Sequence, residues 1–527
     1  MKYKIEITAF IFSTIATLIF QRFIITPSKF LVSTLIGMLF FLIYRYLFID
    51  EKEIQVTLPY KTYIFFSLVI ISAICLLLVS PINELMFLPW TSIPSHNILR
   101  LISAFLLIFL APSYIIVSIV DREDKLSFLE KLLFSIIINN LLLPFFGCIS
   151  FALGSNIANS GLHFIIALNI FLSLLYILLG RRKAGKPLLI KLNEHLILCF
   201  YLALAGALVL DKYFSNITWD YGDLDLYYGY AVSFTKSVFP LDVIGPGMVY
   251  PYFPFIFAAE FFILSGIPYI NAFQFINIVM SLLPILSFYI MVSAFSFRNR
   301  KIPIIATMFG FFGGGLGWVF GLNYLRNVTV QNLYKLFKLM AKADSGYLVP
   351  PFYPAGMYPL YTHALTCIFA LMWLIYSDKG DKLGGTRYLL VAVTIAVGYL
   401  AHIAEIIFFI VFFLLSIIFF KNYSAYRRIC ASTLAGLLIV ALPDIISGGS
   451  FYIAGDPLTY YGLTLYSAIV LLVVTFLLFS IVFYYNNYIK RVHNIIISKL
   501  GKRGLFLCKS IFSTFIIYIY ILSLIHI

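Results

Sequence analysis

The chain has 527 residues, of which 62% are hydrophobic and 11% charged, whereas a soluble domain is about half apolar and about a quarter charged. That balance excludes a water-soluble enzyme, a secreted disulfide scaffold and a disordered chain. Lys+Arg exceeds Asp+Glu by 37 to 22, but no basic run forms a nucleic-acid stripe, so the excess is read as membrane topology.

Hydrophobic runs bounded by charge, Pro, Gly or Asn predict spans near 5 to 21, 30 to 48, 62 to 80, 98 to 120, 132 to 153, 161 to 180 and 195 to 211. Met1 to Phe20 has no clear small-residue cleavage site before Arg22, so it is read as a retained first helix. Basic residues collect at Arg45 to Lys61, at Arg122 to Lys131 and at Arg181, Arg182, Lys183, Lys186 and Lys191. The positive-inside rule makes these loops cytoplasmic, together with the N-terminus, and delivers Asp211 to Tyr250 to the outer face.

Further runs lie near 251 to 266, 270 to 297, 302 to 321, 357 to 376, 388 to 420, 431 to 447, 462 to 485 and 505 to 525. If 251 to 266 crossed the membrane, Arg298, Arg300 and Lys301 would fall outside. That stretch begins Pro251-Tyr252-Phe253-Pro254 and ends Gly266-Ile267-Pro268, ends that suit a juxtamembrane or re-entrant segment packed against protein. The run 388 to 420 is about 50 Å long as a helix, too long for one span, and is split near His402. The expected fold is therefore all-α, a polytopic transmembrane helical bundle of about 15 spans with an outer-face acidic loop and juxtamembrane helices. The six cysteines stand singly without metal-ligand or redox spacing.

This topology gathers Asp220, Asp223, Asp225, His363, His402, Glu405, Asp444 and Asp456 near one membrane face. Because polar groups at span ends are costly, such clustering points to function. The densest stretch is Trp219-Asp220-Tyr221-Gly222-Asp223-Leu224-Asp225. Asp223 and Asp225 have a spacing that either holds a divalent cation, Mg or Mn, or keeps one carboxylate as a general base. A solvated acidic loop with interfacial tyrosines is the plainer alternative.

Phe239-Pro240, Gly245-Pro246-Gly247 and Tyr250-Pro251-Tyr252-Phe253-Pro254 follow. With these features the chain resembles the GT-C superfamily of integral-membrane glycosyltransferases over roughly 195 to 485, in the pattern of features and without strict sequence identity. In that superfamily an acidic motif after a transmembrane helix is followed by juxtamembrane helices, a Gly/Pro/Tyr-rich turn and a long bundle. The resemblance implies transfer of a sugar from a polyprenyl-phosphate donor to a glycan, lipid or protein acceptor on the outer face of a plasma membrane. Asp223 and Asp225 match the family's motif best and Asp220 second, as catalytic or metal-holding residues, with Tyr252 in the turn at the substrate. One departure is that the acidic motif follows the seventh span here and the first in the family.

The loop from Leu322 to Gly356 carries Arg326, Lys335, Lys338 and Lys342 on the expected outer side, where Arg326 and Lys335 would hold a lipid phosphate or snorkel to headgroups. Gly313-Gly314-Gly315-Leu316-Gly317 lies in an apolar segment without a preceding strand, so it reads as close helix packing or a broken helix. His363, at an outer span end, and His402 with Glu405, an i, i+3 pair suited to metal or donor phosphate, are further substrate-binding candidates. The organisation expected is a six-helix module over 1 to 194, a GT-C-like catalytic region over 195 to 485, and a cytoplasmic basic loop with a last helix over 486 to 527. A transporter or flippase, and a non-catalytic scaffold for envelope assembly, are the alternatives. The first usually shows internal repeats, and none is evident.

Overall fold

The computed structural model describes residues 53–56, 61–121 apart from 83 and 86, 123–179, 188–215, 222–236, 253–295, 301–311, 359–402 and 423–446, with residues 11, 38, 41, 42, 406, 409, 410 and 413. Strand β1 (Glu53–Val56) precedes α1 (Lys61–Leu78). After the loop 79–94, α2 (Ser95–Phe105) runs through a π-helical turn, Leu106–Leu110, into α3 (Ala111–Val120). Pro112, which brings no N–H to the ladder, sits at the start of α3, where the widened turn accommodates it. Helices α4 (Phe128–Ala152) and α5 (Ile157–Leu179), strand β2 (Leu188–Lys191) and α6 (Leu192–Ser215) follow.

Next come α7 (Gly222–Lys236), α8 (Phe253–Ser265), α9 (Tyr269–Phe295) and α10 (Ile302–Phe311). The last described elements are α11 (Pro359–Tyr376), the short α12 (Asp378–Lys382), α13 (Gly385–Ala401) and α14 (Tyr423–Ile446). Among the described residues, four helical stretches are long and apolar enough to cross a membrane: Ser95–Val120, Phe128–Ala152, Ile157–Leu178 and Tyr269–Phe295. Leu68, Ile70, Ile71 and Ile74 of α1 and Phe171, Leu174 and Ile177 of α5 are exposed. Continuous apolar rows of this kind are stable against lipid chains and not against water.

The expected limits of the spans near 98 to 120, 132 to 153, 161 to 180 and 270 to 297 agree with these four stretches to within four residues, while the expected spans near 5 to 21, 30 to 48, 462 to 485 and 505 to 525 lie wholly or almost wholly outside the described residues. Helix α13 ends at Ala401, where His402 turns to an extended conformation (φ −158°, ψ 109°) while its N–H still bonds Gly398 O. A Cβ on Gly398 would lie 2.7 Å from Ile406 Cγ1, so the chain beyond the break returns close to α13. The break near His402 is therefore real. One element was not expected: β1 and β2 pair antiparallel, Glu53 opposite Lys191 and Val56 opposite Leu188, and interrupt the all-helical architecture.

The helices define two ends. Phe65 packs on Tyr114 and Phe66 on Tyr176, which places the start of α1 beside the ends of α3 and α5. Thr386 Oγ1 donates to Val120 O, and Lys379 Nζ meets Glu130 Oε1 at 3.0 Å. Glu130 also closes a capping box with Ser127, satisfying donors at the start of α4. Lys131 pairs with Asp124 and, at 3.5 Å, with Asp121. Arg387 donates to Leu374 O and Ile375 O, capping α11, and to Asp381. The ribbon and the basic loops around 121–131 and 377–387 thus share one end, while the loop 79–94, the turn at 153–156 and the turn at 266–268 lie at the other.

Helices α9 and α11 run side by side in the same direction, since Met280 meets His363 and, two turns on, Phe288 meets Phe369. The apolar core crosses residue 194. Leu101, Phe109, Leu143 and Phe151 share a buried cluster with Phe234, Phe257, Phe261 and Leu400.

Candidate functional site

Helix α8 is the centre of the end opposite the ribbon. Its 13 residues measure about 20 Å, short of the roughly 30 Å of a bilayer core. All of them except Pro254 are buried, with α2, α4, α5, α7, α9 and α13 packed around the helix. This fits the segment between the two Pro/Gly clusters as packed against protein rather than exposed to lipid. Phe109 of the π-helical turn meets Phe257 and Phe261 edge-on, and Phe261 stacks on Phe275 of α9.

The C-terminal corner of α8 is fixed by one cation. Arg100, 2% exposed, donates from Nε to Leu264 O at 2.9 Å and from Nη1 to Leu76 O at 2.7 Å and to Val79 O. It therefore caps the C-terminal ends of α8 and α1 together, where helix dipoles attract positive charge. Gly266 follows with φ +61°, and a Cβ there would meet Arg100 and Pro81. The loop 79–94 is laced to the same corner. Ile82 N donates to Gly266 O and Tyr269 N to Glu84 O, Asn271 bonds both N and O of Leu88, and Trp90 Nε1 reaches Gln274 Oε1. Gly266→Ala places a side chain both in left-handed backbone and inside the guanidinium. It is expected to destabilise by more than the roughly 1–3 kcal/mol of backbone strain alone, read as a lowered Tm in detergent; an unchanged Tm would contradict the account of this corner.

Helix α7 lies on α8. Tyr227 and Tyr230 meet Phe255, Tyr228 meets Phe262 and Phe273, and Phe234 stacks on Phe151 of α4. Tyr227, Ala231 and Phe234 are buried at helical spacing, which is what turns this face of α7 inward. Tyr228 donates its hydroxyl to Leu85 O at 2.8 Å, and burial pushes its phenol up from 10.0 to about 12. A tyrosine raised in the folded state contributes its stability below pH 10 and loses it between pH 10 and about 12. Tyr228→Phe is expected to remove that alkaline step from the protease sensitivity of α7, and a step that persists in the variant would assign it elsewhere.

Asp223 and Asp225 are the second and fourth residues of α7. The acidic stretch is thus, from Gly222 on, the start of a helix and not a loop. Carboxylates at a helix N-terminus are stabilised by the dipole, which is why this sequence supports a helix there. Two helical positions two residues apart are separated by about 200° around the axis, so the helix does not bring both positions to one face. Position 223 falls in register with the buried Tyr227, Ala231 and Phe234, whereas position 225 falls in register with the exposed Gly229 and Lys236.

The other candidates are dispersed. His363 is 5% exposed in the interface of α11 with α9, its Nδ1 is 3.3 Å from Met280 Sδ, and its Nε2 has no partner. His402 is half-buried at the end of α13. Asp220, Tyr252, Arg326, Lys335 and Glu405 lie outside the described residues. Among the described residues no group of three or more His, Cys, Asp or Glu is arranged to hold a metal ion.

Two buried groups went unnoticed in the sequence. Arg100 was absorbed into the run 98 to 120, and Glu260 into the segment Phe253-Pro-Phe-Ile-Phe-Ala-Ala-Glu-Phe-Phe-Ile-Leu-Ser. The signal for Glu260 was its isolation, since a lone acid in an apolar run demands an explanation. Its carboxyl is buried, with Oε1 beside Gly147 of α4 and Oε2 without a partner. No protein family, curated protein or solved structure matches the chain.

Proposed function

We propose that the chain is a multi-pass membrane glycosyltransferase of GT-C type, moving a sugar from a polyprenyl-phosphate donor to an acceptor at the outer face of a plasma membrane. The observation that supports it best is the acidic start of α7, held on the short buried helix α8 at the end of the bundle away from the basic loops. That order, a long apolar helix, an acidic helix start, a short embedded helix and a further long helix, is the pattern of features seen in the sequence. With the basic loops inside, α7 lies at the outer membrane face, where a lipid-linked sugar presents its anomeric carbon.

In this reading Asp223 is the general base. It takes the proton of the acceptor hydroxyl, amine or amide as the acceptor atom bonds to the sugar's anomeric carbon, and the lipid phosphate leaves with the electrons of the broken bond. Asp223 and Asp225 start different faces of one helix, so a single base describes their placement better than a shared divalent cation. Arg326 and Lys335 are assigned to the lipid phosphate, and Tyr252, His402 and Glu405 to the donor's surroundings. His363, in the interface of α9 and α11, is assigned to packing there.

The test is transfer of radiolabelled sugar by the purified protein in lipid vesicles, with a panel of polyprenyl-phosphate sugars and lipid, glycan and peptide acceptors. Transfer that requires the polyprenyl phosphate supports the class. Its absence across the panel, with folded protein confirmed, counts against it.

A further inference from the structure

We propose that Glu260 is a closed binding site for a single proton, and that occupancy of this site holds α8, with α7 upon it, against α4. The carboxyl sits midway along a helix in which every neighbour but Pro254 is buried. One oxygen rests against Gly147 and the other has no hydrogen-bond partner. An ionised carboxylate left unpaired in apolar surroundings is too costly to keep, whereas a neutral carboxylic acid is not.

The groups facing α8 supply no counter-charge. Cys148 of α4, next to Gly147, is a titratable neighbour and is neutral when a thiol. Tyr227 and Tyr230 of α7 contribute rings to Phe255, and Tyr269 of α9 stacks on Phe262. Arg100 of α2 gives its guanidinium to the carbonyls of Leu264, Leu76 and Val79. The charged positions of α7, Asp223, Asp225 and Lys236, are at its two ends, His96 of α2 and His163 of α5 are exposed, and α13 brings Tyr399 to the same cluster with His402 half-buried at its end.

The ligand is a proton and not a metal ion on grounds of space and donors. A Cβ at Gly147 would lie 2.5 Å from Ile256 Cγ2 and 3.3 Å from Glu260 Oε1, so α4 and α8 touch with nothing between them. One carboxyl without a second acid or histidine is no cage for a cation. Release of the proton breaks the O–H bond, gives the proton to water and leaves a carboxylate that must be hydrated. Glu260 is 3% exposed and rests on Gly147, so hydrating the carboxylate favours movement of α8 off α4. Proton occupancy and docking of the α7–α8 pair are therefore linked equilibria, and the inference holds whatever α7 acts upon.

The experiment uses the full chain with Cys148 as its only cysteine, the other five replaced by serine, in phosphatidylcholine vesicles. The rate at which a small uncharged methanethiosulfonate modifies Cys148 is followed against pH, with and without Glu260→Gln. The thiolate fraction rises with pH in both proteins, and an ionised Glu260 repels the neighbouring Cys148 thiolate and slows the wild type, so a wild type that reacts faster than the variant reports undocking and not this charge. The ratio is expected to stay near one in acid and then to climb, by up to about tenfold per pH unit once the site titrates, because glutamine cannot ionise. A ratio that stays at one throughout overturns the proposal. Should the glutamine variant not fold, infrared spectra of the wild type decide. The proposal expects the C=O stretch of a protonated, unbonded carboxyl that disappears in alkali, and absence of that band overturns it.

Discussion

Arg100→Ala is expected to be the most destabilising single substitution at the end of the bundle where α8 docks. Three carbonyls, those of Leu264, Leu76 and Val79, receive their hydrogens from this one side chain. Each carbonyl left buried without a donor costs about 1–3 kcal/mol, while removing a buried charge gives part of that back. The net loss is about 3 kcal/mol or more, enough to lower Tm clearly and to free the loop 79–94 for proteolysis. Arg100→Lys keeps the charge but loses the planar fork that serves separate helix ends at once, so it should recover a minority of the loss. An alanine variant with wild-type Tm and an uncut loop would show that the carbonyls find other donors and that α8 is not held at this corner.

Asp223→Asn should carry the largest effect on activity. Removing a general base lowers the rate by about 10²–10⁴, and asparagine keeps the shape and a good helix-start residue, so the fold stays intact. Asp225→Asn should cost far less, because its position shares a helix face with the exposed Gly229 and Lys236 and not with Tyr227 and Phe234. Both variants lose a carboxylate from a helix N-terminus, a stability change of about 0.3–1 kcal/mol. Equal loss of transfer in the two would favour a shared metal ion, and a larger loss at Asp225 would reverse the assignment of faces.

The helices were legible because apolar runs end abruptly at charge or at Pro and Gly, and membrane thickness then fixes how much chain one crossing takes. The same reasoning foresaw the short α8 from its flanking Pro and Gly residues, and the break at His402 from excess length. The helical start of the acidic stretch was also available in principle. Tyr227, Ala231 and Phe234 repeat at helical spacing, but the acids read as a loop, with interfacial tyrosines as the plainer alternative. What the sequence did not disclose is contact at a distance. Arg100 answers to backbone carbonyls, which every residue possesses, so no pattern of side chains announces its partners. Strands of four residues that pair across more than a hundred intervening positions leave no local periodicity long enough to read.

The ribbon also bears on how the protein is made. Its strands join residues 53–56 to 188–191, and everything between them must be synthesised and inserted before they meet. Until then β1 waits beside the membrane with both of its hydrogen-bonding edges open, a template for any extended segment nearby. The arrival of β2 closes α1 to α5 into a ring just before α6 is made. A chain halted a few residues short of 188 would own every helix of that ring and lack its clasp.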